Sequence, residues 1–321
     1  MPRSQRGIAQ RYPKALAAGC LLFMVLSSCG TGIEVSNPVT DKDVRRVIEQ
    51  SENRQPVETI DAYQDSLPAW KSGKRFWVAD NQVRLLFAHS NDYDIDTVSL
   101  AGRVLEYDGY DTGGLYDNRA TVNLMFRDPD NGNVYCYRTG KTIESFKPGF
   151  SIPLLIDMDM VEHIARQVVG KDYYIRTPIW YDRDSEQMVN GRHFIKVHVD
   201  RVLPGNSVMP LRLLFTTADL GERAMVWMSD NASTMHGRDF DALFVARDPH
   251  ESYPAISTAN WDRITRGLVV EGMTKEECRL ALGAPRRVSE IPDQGGMREY
   301  WYYDGGSYLF FVDGLLNQFR R

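Results

Sequence analysis

Two cysteines could do chemistry in the body of this 321-residue chain, Cys136 and Cys278. Cys278 directly follows Glu276 and Glu277 in a stretch that reads as a short helix, which makes it a candidate nucleophile or metal ligand. A nucleophilic cysteine needs a thiolate, and thiolates form at helix starts or beside a histidine. Two neighbouring carboxylates oppose that charge. The pattern therefore favours an uncharged thiol on a packing face and predicts no catalytic residue, with a cysteine hydrolase as the alternative.

Histidines and aspartates also give weak metal-site signals. His193 and His198 are five residues apart in a strand-like run, where the period of two puts them on opposite faces. Asp92, Asp94 and Asp96 resemble the start of a calcium loop, but the glycine and the closing glutamate of such a loop are missing. We therefore expect no metal and no cofactor, and a solvated loop at the aspartates.

The element that carries Cys278 has clear helix signals. Thr274 followed three residues later by Glu277 predicts a capping box at the start of a helix. Met273 and Cys278 then occupy the two positions of a hydrophobic staple. Gly283 predicts the end of the helix because glycine readily adopts the left-handed conformation. Cys278 is therefore expected to pack against Met273.

The same stretch, GMTKEECRLALGAP at residues 272–285, resembles the signature of the SmpA/OmlA (BamE-like) lipoprotein domain. Segments similar to its first helix and its three strands are residues 260–264, 298–303, 308–312 and 315–319. The resemblance implies two short helices on a three-stranded antiparallel sheet over residues 257–321. It also implies a role in protein binding without catalysis, since members of the family support the insertion of barrel proteins into the outer membrane.

An aromatic run in that sheet is the candidate interaction surface, formed by Tyr300, Trp301, Tyr302 and Tyr303. In a strand, Trp301 and Tyr303 share one face, and Tyr300 and Tyr302 share the other. One face should cover the helices. The other face is either an exposed surface for contacts with proteins or is covered by the preceding part of the chain.

The first 28 residues are predicted to be an export signal. Four basic residues precede an apolar run at residues 15–26, which is too short to span a bilayer. The segment LSSC at residues 26–29 resembles the lipobox of bacterial lipoproteins, which implies cleavage before Cys29 and acylation of its sulfur. The lipid on Cys29 would anchor the chain to the membrane. No acidic residue follows Cys29 directly, and in the lipoproteins of enteric bacteria that absence goes with sorting to the outer membrane. The expected location is the outer membrane, and the expected orientation is towards the periplasm.

The charge of the mature chain argues against a nucleic-acid partner. The whole sequence has a net charge of -5, and removal of the signal takes away four basic residues and no acidic ones, which leaves -9. Phosphate binding needs a positive face. The expected partners are therefore the membrane, through Cys29, and envelope proteins or cell-wall material.

Residues 29–60 are polar and predict a tether, and the region that follows is rich in strand signals and contains a candidate duplication. One copy is expected within residues 61–150, and a linking helix and the second copy within residues 151–250. The matching segments are residues 73–78 with 170–175, residues 103–105 with 201–203, and residues 124–126 with 213–215. The offsets are 97, 98 and 89, which requires changes of loop length between copies. Chance similarity among strand-rich segments is the alternative.

Two local elements are predicted within this region. Residues 128–133 (DPDNGN) read as the turn of a hairpin between strands at residues 122–126 and 134–137. Residues 156–169 carry apolar side chains at helical spacing, which predicts the linking helix with one buried face. Each copy has the size of an SH3-like barrel, and closure would remove exposed sheet edges.

Together these patterns predict a mainly β fold with an α+β part, consisting of two SH3-like barrels followed by the BamE-like domain. The expected function is that of a non-catalytic, membrane-anchored lipoprotein of the cell envelope that binds or scaffolds proteins, in outer-membrane assembly or envelope maintenance. The alternatives are a cell-wall hydrolase or its accessory subunit, and a barrel that binds a small ligand.

Overall fold

The computed structural model describes residues 60–88, 99–116, 119–230, 237–293 and 296–320. All of them belong to one compact unit, Gln55–Arg321. The predicted signal, Cys29, the tether up to residue 59 and the aspartates at residues 92–96 lie outside the described residues. In the described ranges, no helix has both the length and the apolar character needed to cross a membrane.

The first sheet contains six strands, and every neighbouring pair is antiparallel. The strands are β1 (Arg75–Val78), β2 (Phe87–Ala88), β3 (Val104–Tyr116), β4 (Arg119–Arg127), β5 (Val134–Arg138) and β6 (Leu155–Asp157). Their hydrogen-bonded order is β2-β5-β4-β3-β1-β6.

The second sheet contains seven strands and is also antiparallel. The strands are β7 (Asp172–Ile175), β8 (Ile179–Tyr181), β9 (Met188–Asn190), β10 (Ile195–Pro204), β11 (Leu211–Thr217), β12 (Arg223–Met228) and β13 (Phe244–Val245). Their order is β13-β7-β10-β11-β12-β8-β9. The nearby helices are α1 (Met158–Val168), α2 (Phe240–Leu243) and α3 (Pro249–Ser252).

The two sheets share one strand plan. Strand β9 lies at one edge of the second sheet and is left out of the comparison. The order is then β6-β1-β3-β4-β5-β2 in the first sheet and β13-β7-β10-β11-β12-β8 in the second. In both sheets the strands, numbered by their order in the chain, stand as sixth, first, third, fourth, fifth and second. Such agreement in a six-strand order supports the duplication hypothesis independently of the sequence matches. The shared plan makes β1 equivalent to β7, β3 to β10 and β4 to β11.

The register of strand pairing in the two sheets agrees with two of the three sequence matches. Phe76 in β1 pairs with Leu105, and its equivalent Tyr173 in β7 pairs with Val197. The match of residues 124–126 with 213–215 lies on the equivalent strands β4 and β11. Leu105 thus corresponds to Val197 and not to Leu203, so the match of residues 103–105 with 201–203 is out of register.

A β-bulge occurs at the same position in both sheets. In β3, the pairing with β4 skips Asp108 between Tyr107 and Gly109. In β10, the pairing with β11 skips Asp200 between Val199 and Arg201. A bulge bends its strand and is a specific feature rather than a defect. Asp108 and Asp200 therefore occupy equivalent positions in the two sheets.

The two local predictions for this region are confirmed. Strands β4 and β5 form the predicted hairpin, and the turn is closed by the bond from the Asp128 amide to the Asn133 carbonyl, 2.8 Å long. Helix α1 follows the first sheet and buries Met160, Val161 and Ile164. These side chains join the core of the second sheet.

The mainly β expectation is confirmed, but neither of the first two sheets closes into a barrel within the described residues. Each sheet covers its apolar face with other parts of the chain. The second sheet packs against α1, and the first packs against the segments that contain Leu67, Leu100 and Ile152. A second layer buries one face of a sheet as effectively as closure does.

Two further helices, α4 (Thr258–Thr265) and α5 (Lys275–Leu282), precede the last sheet. The predicted capping box is present at α5: the Glu277 amide donates to Thr274 Oγ1 at 3.2 Å, and the Thr274 amide donates to Glu277 Oε2 at 2.7 Å. Glu277 Oε1 also accepts from Asn260 Nδ2 at 2.6 Å, which joins α4 to α5. Met273 and Cys278 are both buried in the same core, as the staple predicts.

The last sheet has four strands, not the expected three. They are β14 (Arg287–Asp293), β15 (Gly296–Tyr302), β16 (Tyr308–Val312) and β17 (Leu315–Arg320), paired in that order. The additional strand is β14, which forms a hairpin with β15. The turn between β16 and β17 uses Asp313 and Gly314, both with positive φ, as expected for a two-residue hairpin loop.

Candidate binding face

The last sheet places the four predicted aromatic residues in different environments. Trp301 is only 1% exposed and lies on the inner face, towards the helices. Tyr300 and Tyr302 lie on the opposite face and are partly exposed. Tyr303 follows the strand and donates its hydroxyl to the Gly283 carbonyl at 3.1 Å. Of the four candidates, only Tyr300 and Tyr302 therefore belong to the exposed face.

Trp301 is held in the core by specific contacts. Its Nε1 donates to the carboxylate of buried Glu299, which also forms an ion pair with Lys275 of α5. Its ring packs against Phe311, with centroids 4.8 Å apart, and the guanidinium carbon of Arg279 lies 5.1 Å from it. The inner face thus joins the sheet to α5.

Residues directly opposite each other on antiparallel strands project to the same side of the sheet. The pairing register therefore arranges twelve side chains in three rows across the four strands, and we call this surface the outer face. The rows, each read from β14 to β17, are Arg287-Tyr302-Tyr308-Arg320, Ser289-Tyr300-Phe310-Gln318 and Ile291-Arg298-Val312-Leu315.

Four aromatic rings form the centre of the outer face. Tyr300 stacks on Phe310 with centroids 4.5 Å apart and on Tyr302 with centroids 6.2 Å apart and nearly parallel planes. The ring centroid of Tyr308 lies 6.4 Å from that of Tyr300. Each ring shields part of its neighbour, which explains why the rings are only partly exposed although no core of the described residues includes them.

Three arginines surround the rings. Arg287 and Arg320 stand at the two ends of the first row, and Arg298 lies in the third row. All three are exposed, and the guanidinium carbon of Arg287 lies 4.4 Å from the centroid of the Tyr302 ring. None of the twelve side chains in these rows is acidic, and Asp293, which stands in the same alternation of β14, pairs with Gly296 beyond the third row. The first row is therefore locally positive on a chain whose overall charge is negative.

The candidate nucleophiles lie elsewhere. Cys278 is fully buried, and its burial, together with the nearby Glu277 carboxylate, raises the pKa of the thiol to about 12. Cys136 lies in β5, where burial raises the pKa of its thiol. Both cysteines are free. The thiols thus lie in environments that oppose the thiolate, as expected for packing residues.

The two histidines considered as metal ligands lie in different environments. His193 precedes β10 rather than lying in it, and it is buried against the carbonyl of Leu280. His198 lies in β10, is exposed and contacts Asp172 at 2.8 Å. Across the described ranges, no group of histidine, cysteine, aspartate or glutamate side chains has an arrangement that could hold a metal ion.

The sequence analysis missed strand β14 and with it the position of Arg287. A strand signal was available there, because the β-branched residues Val288 and Ile291 precede the turn signal Gly295-Gly296. Once β14 is paired with β15, the position of Arg287 beside Tyr302 follows from the register.

No family model, curated protein or solved structure matches this chain.

Proposed function

We propose that this chain is a non-catalytic lipoprotein of the cell envelope, anchored through a lipid on Cys29, which binds other proteins through the outer face of its last sheet. The lipobox-like segment at residues 26–29 supports the anchor. The observation that carries the binding role is the outer face itself, with four partly exposed aromatic rings and three exposed arginines. Aromatic residues and arginine are enriched where proteins bind each other.

A BamE-like identity for the last domain is part of this proposal. Two short helices, α4 and α5, pack on one face of an antiparallel sheet, and the capping box and the Asp313-Gly314 turn occur where the resemblance expects them. The fourth strand, β14, departs from the three-stranded pattern and supplies one arginine of the outer face. We place the protein at the outer membrane, facing the periplasm, in outer-membrane assembly or envelope maintenance.

The anchor is tested by mass spectrometry of the N-terminal peptide and by membrane fractionation. We expect a peptide that begins at Cys29 and carries acyl chains, and recovery of the chain with the outer membrane. Cys29→Ser should abolish both the modification and the membrane association. An unmodified chain that still contains residues 1–28 would refute the lipoprotein proposal.

Binding is tested in cells by photo-crosslinking from the outer face. A photoreactive phenylalanine analogue at Tyr300 should capture a specific protein partner. The same analogue at Arg201, an exposed residue of β10, is the matched control and should not capture that protein. Absence of any protein adduct from Tyr300, in cells where the chain is correctly localised, would refute the binding role of the outer face.

A further inference from the structure

We infer that the outer face selects an acidic polypeptide segment in an extended conformation, with apolar side chains between its acidic residues. This inference rests on the proposed function and adds to it the chemistry of the partner. It follows from three properties of the outer face, namely its charge, the spacing of its arginines and the rings between them.

Charge complementarity is the first property. The first row of the outer face carries Arg287 and Arg320 with no carboxylate in that row or in the second one, and Glu290 and Glu299 of the same strands lie on the other side of the sheet. Opposite charge across an interface favours the correct partner and penalises a like-charged one. The surface is therefore suited to carboxylates.

The spacing of the arginines is the second property. Arg287 lies on β14 and Arg320 on β17, three strand intervals apart in the same row. Neighbouring strands are about 4.8 Å apart, so the two positions are separated by about 14 Å. An extended chain advances about 3.3 Å per residue, so residues four apart span about 13 Å and point to the same side. Acidic residues at i and i+4 of an extended segment would thus reach both arginines.

The rings between the arginines are the third property. Tyr302 and Tyr308 lie between Arg287 and Arg320 in the first row, and Tyr300 and Phe310 extend the apolar surface into the second row. In the extended segment, residue i+2 points to the same side as the two acids and would rest on these rings. An apolar residue at i+2 buries the most apolar surface there.

A second copy of this chain is a poor occupant. A two-fold symmetric contact uses the same patch on both partners, so that two positively charged patches come together in one interface. Like charges that face each other in an interface are unfavourable. A polypeptide of opposite charge avoids this repulsion.

The test uses the purified full chain and fluorescent peptides with matched sequences. The central sequences are Glu-Ser-Leu-Ser-Glu, Gln-Ser-Leu-Ser-Gln and Lys-Ser-Leu-Ser-Lys, each flanked by glycines, and binding is followed by fluorescence anisotropy. We expect the glutamate peptide to bind about tenfold or more tightly than the glutamine peptide, and the lysine peptide to bind weakest. A peptide with serine in place of leucine should also bind more weakly than the glutamate peptide.

Charge reversal locates the binding surface. Arg287→Glu combined with Arg320→Glu should weaken binding of the glutamate peptide about tenfold or more. The matched control, Arg201→Glu combined with Arg223→Glu, makes the same change in total charge on exposed residues of the second sheet and should leave binding within about twofold. Thermal unfolding of both double variants verifies that each is folded.

Several results would overturn the inference. Equal affinity for the glutamate and glutamine peptides would show that the carboxylates are not recognised. Equal weakening by the two double variants would show that only total charge matters. Stronger binding to purified cell-wall polymer or to anionic lipid vesicles, lost in Arg287→Glu with Arg320→Glu, would assign the outer face to another class of partner.

The crosslinking experiment separates this inference from the proposed function. A protein captured from Tyr300 through an acidic extended segment supports both. A protein captured through a neutral or basic segment leaves the binding role intact and refutes the preference for acidic segments. The peptide measurements need no lipid anchor, so failure of the anchor test leaves them unaffected.

Discussion

The imidazole of His193 and the carbonyl of Leu280 join the segment between β9 and β10 to helix α5, with 3.1 Å between His193 Nε2 and the carbonyl oxygen. A carbonyl only accepts, so Nε2 carries the hydrogen. His193 Nδ1 is buried and has no hydrogen-bond partner among the described residues. Burial lowers the pKa of this imidazole, although the bond to Leu280 opposes the change. His193 is therefore a neutral side chain in the contact between the two parts of the chain.

This contact predicts a loss of stability in acid. The folded state holds the pKa of His193 below its ordinary value of about 6.5, so at lower pH the unfolded chain binds more protons than the folded one. The free energy of unfolding should fall as pH drops through about 6.5, by up to about 1.4 kcal/mol per pH unit from this residue. Denaturant unfolding between about pH 5.5 and 7.5 measures the effect.

A glutamine variant isolates the contribution of His193. Glutamine in place of His193 can still donate to the Leu280 carbonyl but cannot titrate, so His193→Gln should flatten the pH dependence. Identical pH profiles for His193→Gln and the unaltered protein would contradict the prediction.

Lys74 and Lys171 directly precede the equivalent strands β1 and β7, and we predict a large difference between them in their contribution to stability. Its buried Nζ lies 2.7–3.1 Å from carboxylate oxygens of Asp65, Asp157 and Asp159. Lys74→Met leaves three carboxylates without their cation and should lower the free energy of unfolding by about 3 kcal/mol. The equivalent residue before β7, Lys171, is exposed, and Lys171→Met should cost less than about 0.5 kcal/mol. Equal costs in chemical denaturation would show that the cluster has no special role.

Cys278 gives a test of its packing role. The thiol is fully buried beside apolar side chains, so Cys278→Ser places a hydroxyl there and should cost about 1–3 kcal/mol of unfolding free energy. Cys278→Ala should cost about 1 kcal/mol and retain partner binding. Loss of binding in a folded Cys278→Ala protein would instead indicate a chemical role for the thiol. Alanine is thus a better diagnostic than serine, whose effect on folding would obscure the result.

The equivalent bulge residues give a fourth prediction. Asp200 accepts from Thr216 Oγ1 at 2.7 Å and pairs with Arg183, which is 11% exposed in its side chain. Burial opposes ionisation, but the bonds from Thr216 and Arg183 give the Asp200 carboxyl a lowered pKa. Asp200→Asn should cost about 1–2 kcal/mol of unfolding free energy. Its equivalent Asp108 forms only a surface pair, and Asp108→Asn should cost less than about 0.5 kcal/mol.

Local signals predicted much of the last domain. The capping box at Thr274, the staple with Cys278 and the turn at Asp313-Gly314 depend on residues close together in the chain, and the structure contains all three. The hairpin turn at residues 128–133 was predictable for the same reason. Such features require no knowledge of distant segments.

Features that depend on pairing between distant strands were predicted less well. Leu105 and Val197 are equivalent only through their partners Phe76 and Tyr173, and local similarity had matched Leu105 with a different residue. The outer face combines side chains from four strands, so its row of two tyrosines between two arginines appears only when the register is known. The sequence indicated the rings but not the charges that surround them.

The mutual stacking of the rings has a consequence for the kinetics of association. Tyr300 stacks on both Tyr302 and Phe310 in the free chain, so we expect its side chain to lose little further rotational freedom when a partner binds. Ordering a flexible side chain at an interface costs about 0.5–1.5 kcal/mol, and little of that cost remains here. Encounter and release at the outer face should therefore depend mainly on displacement of water and on salt, and little on rearrangement of the protein itself.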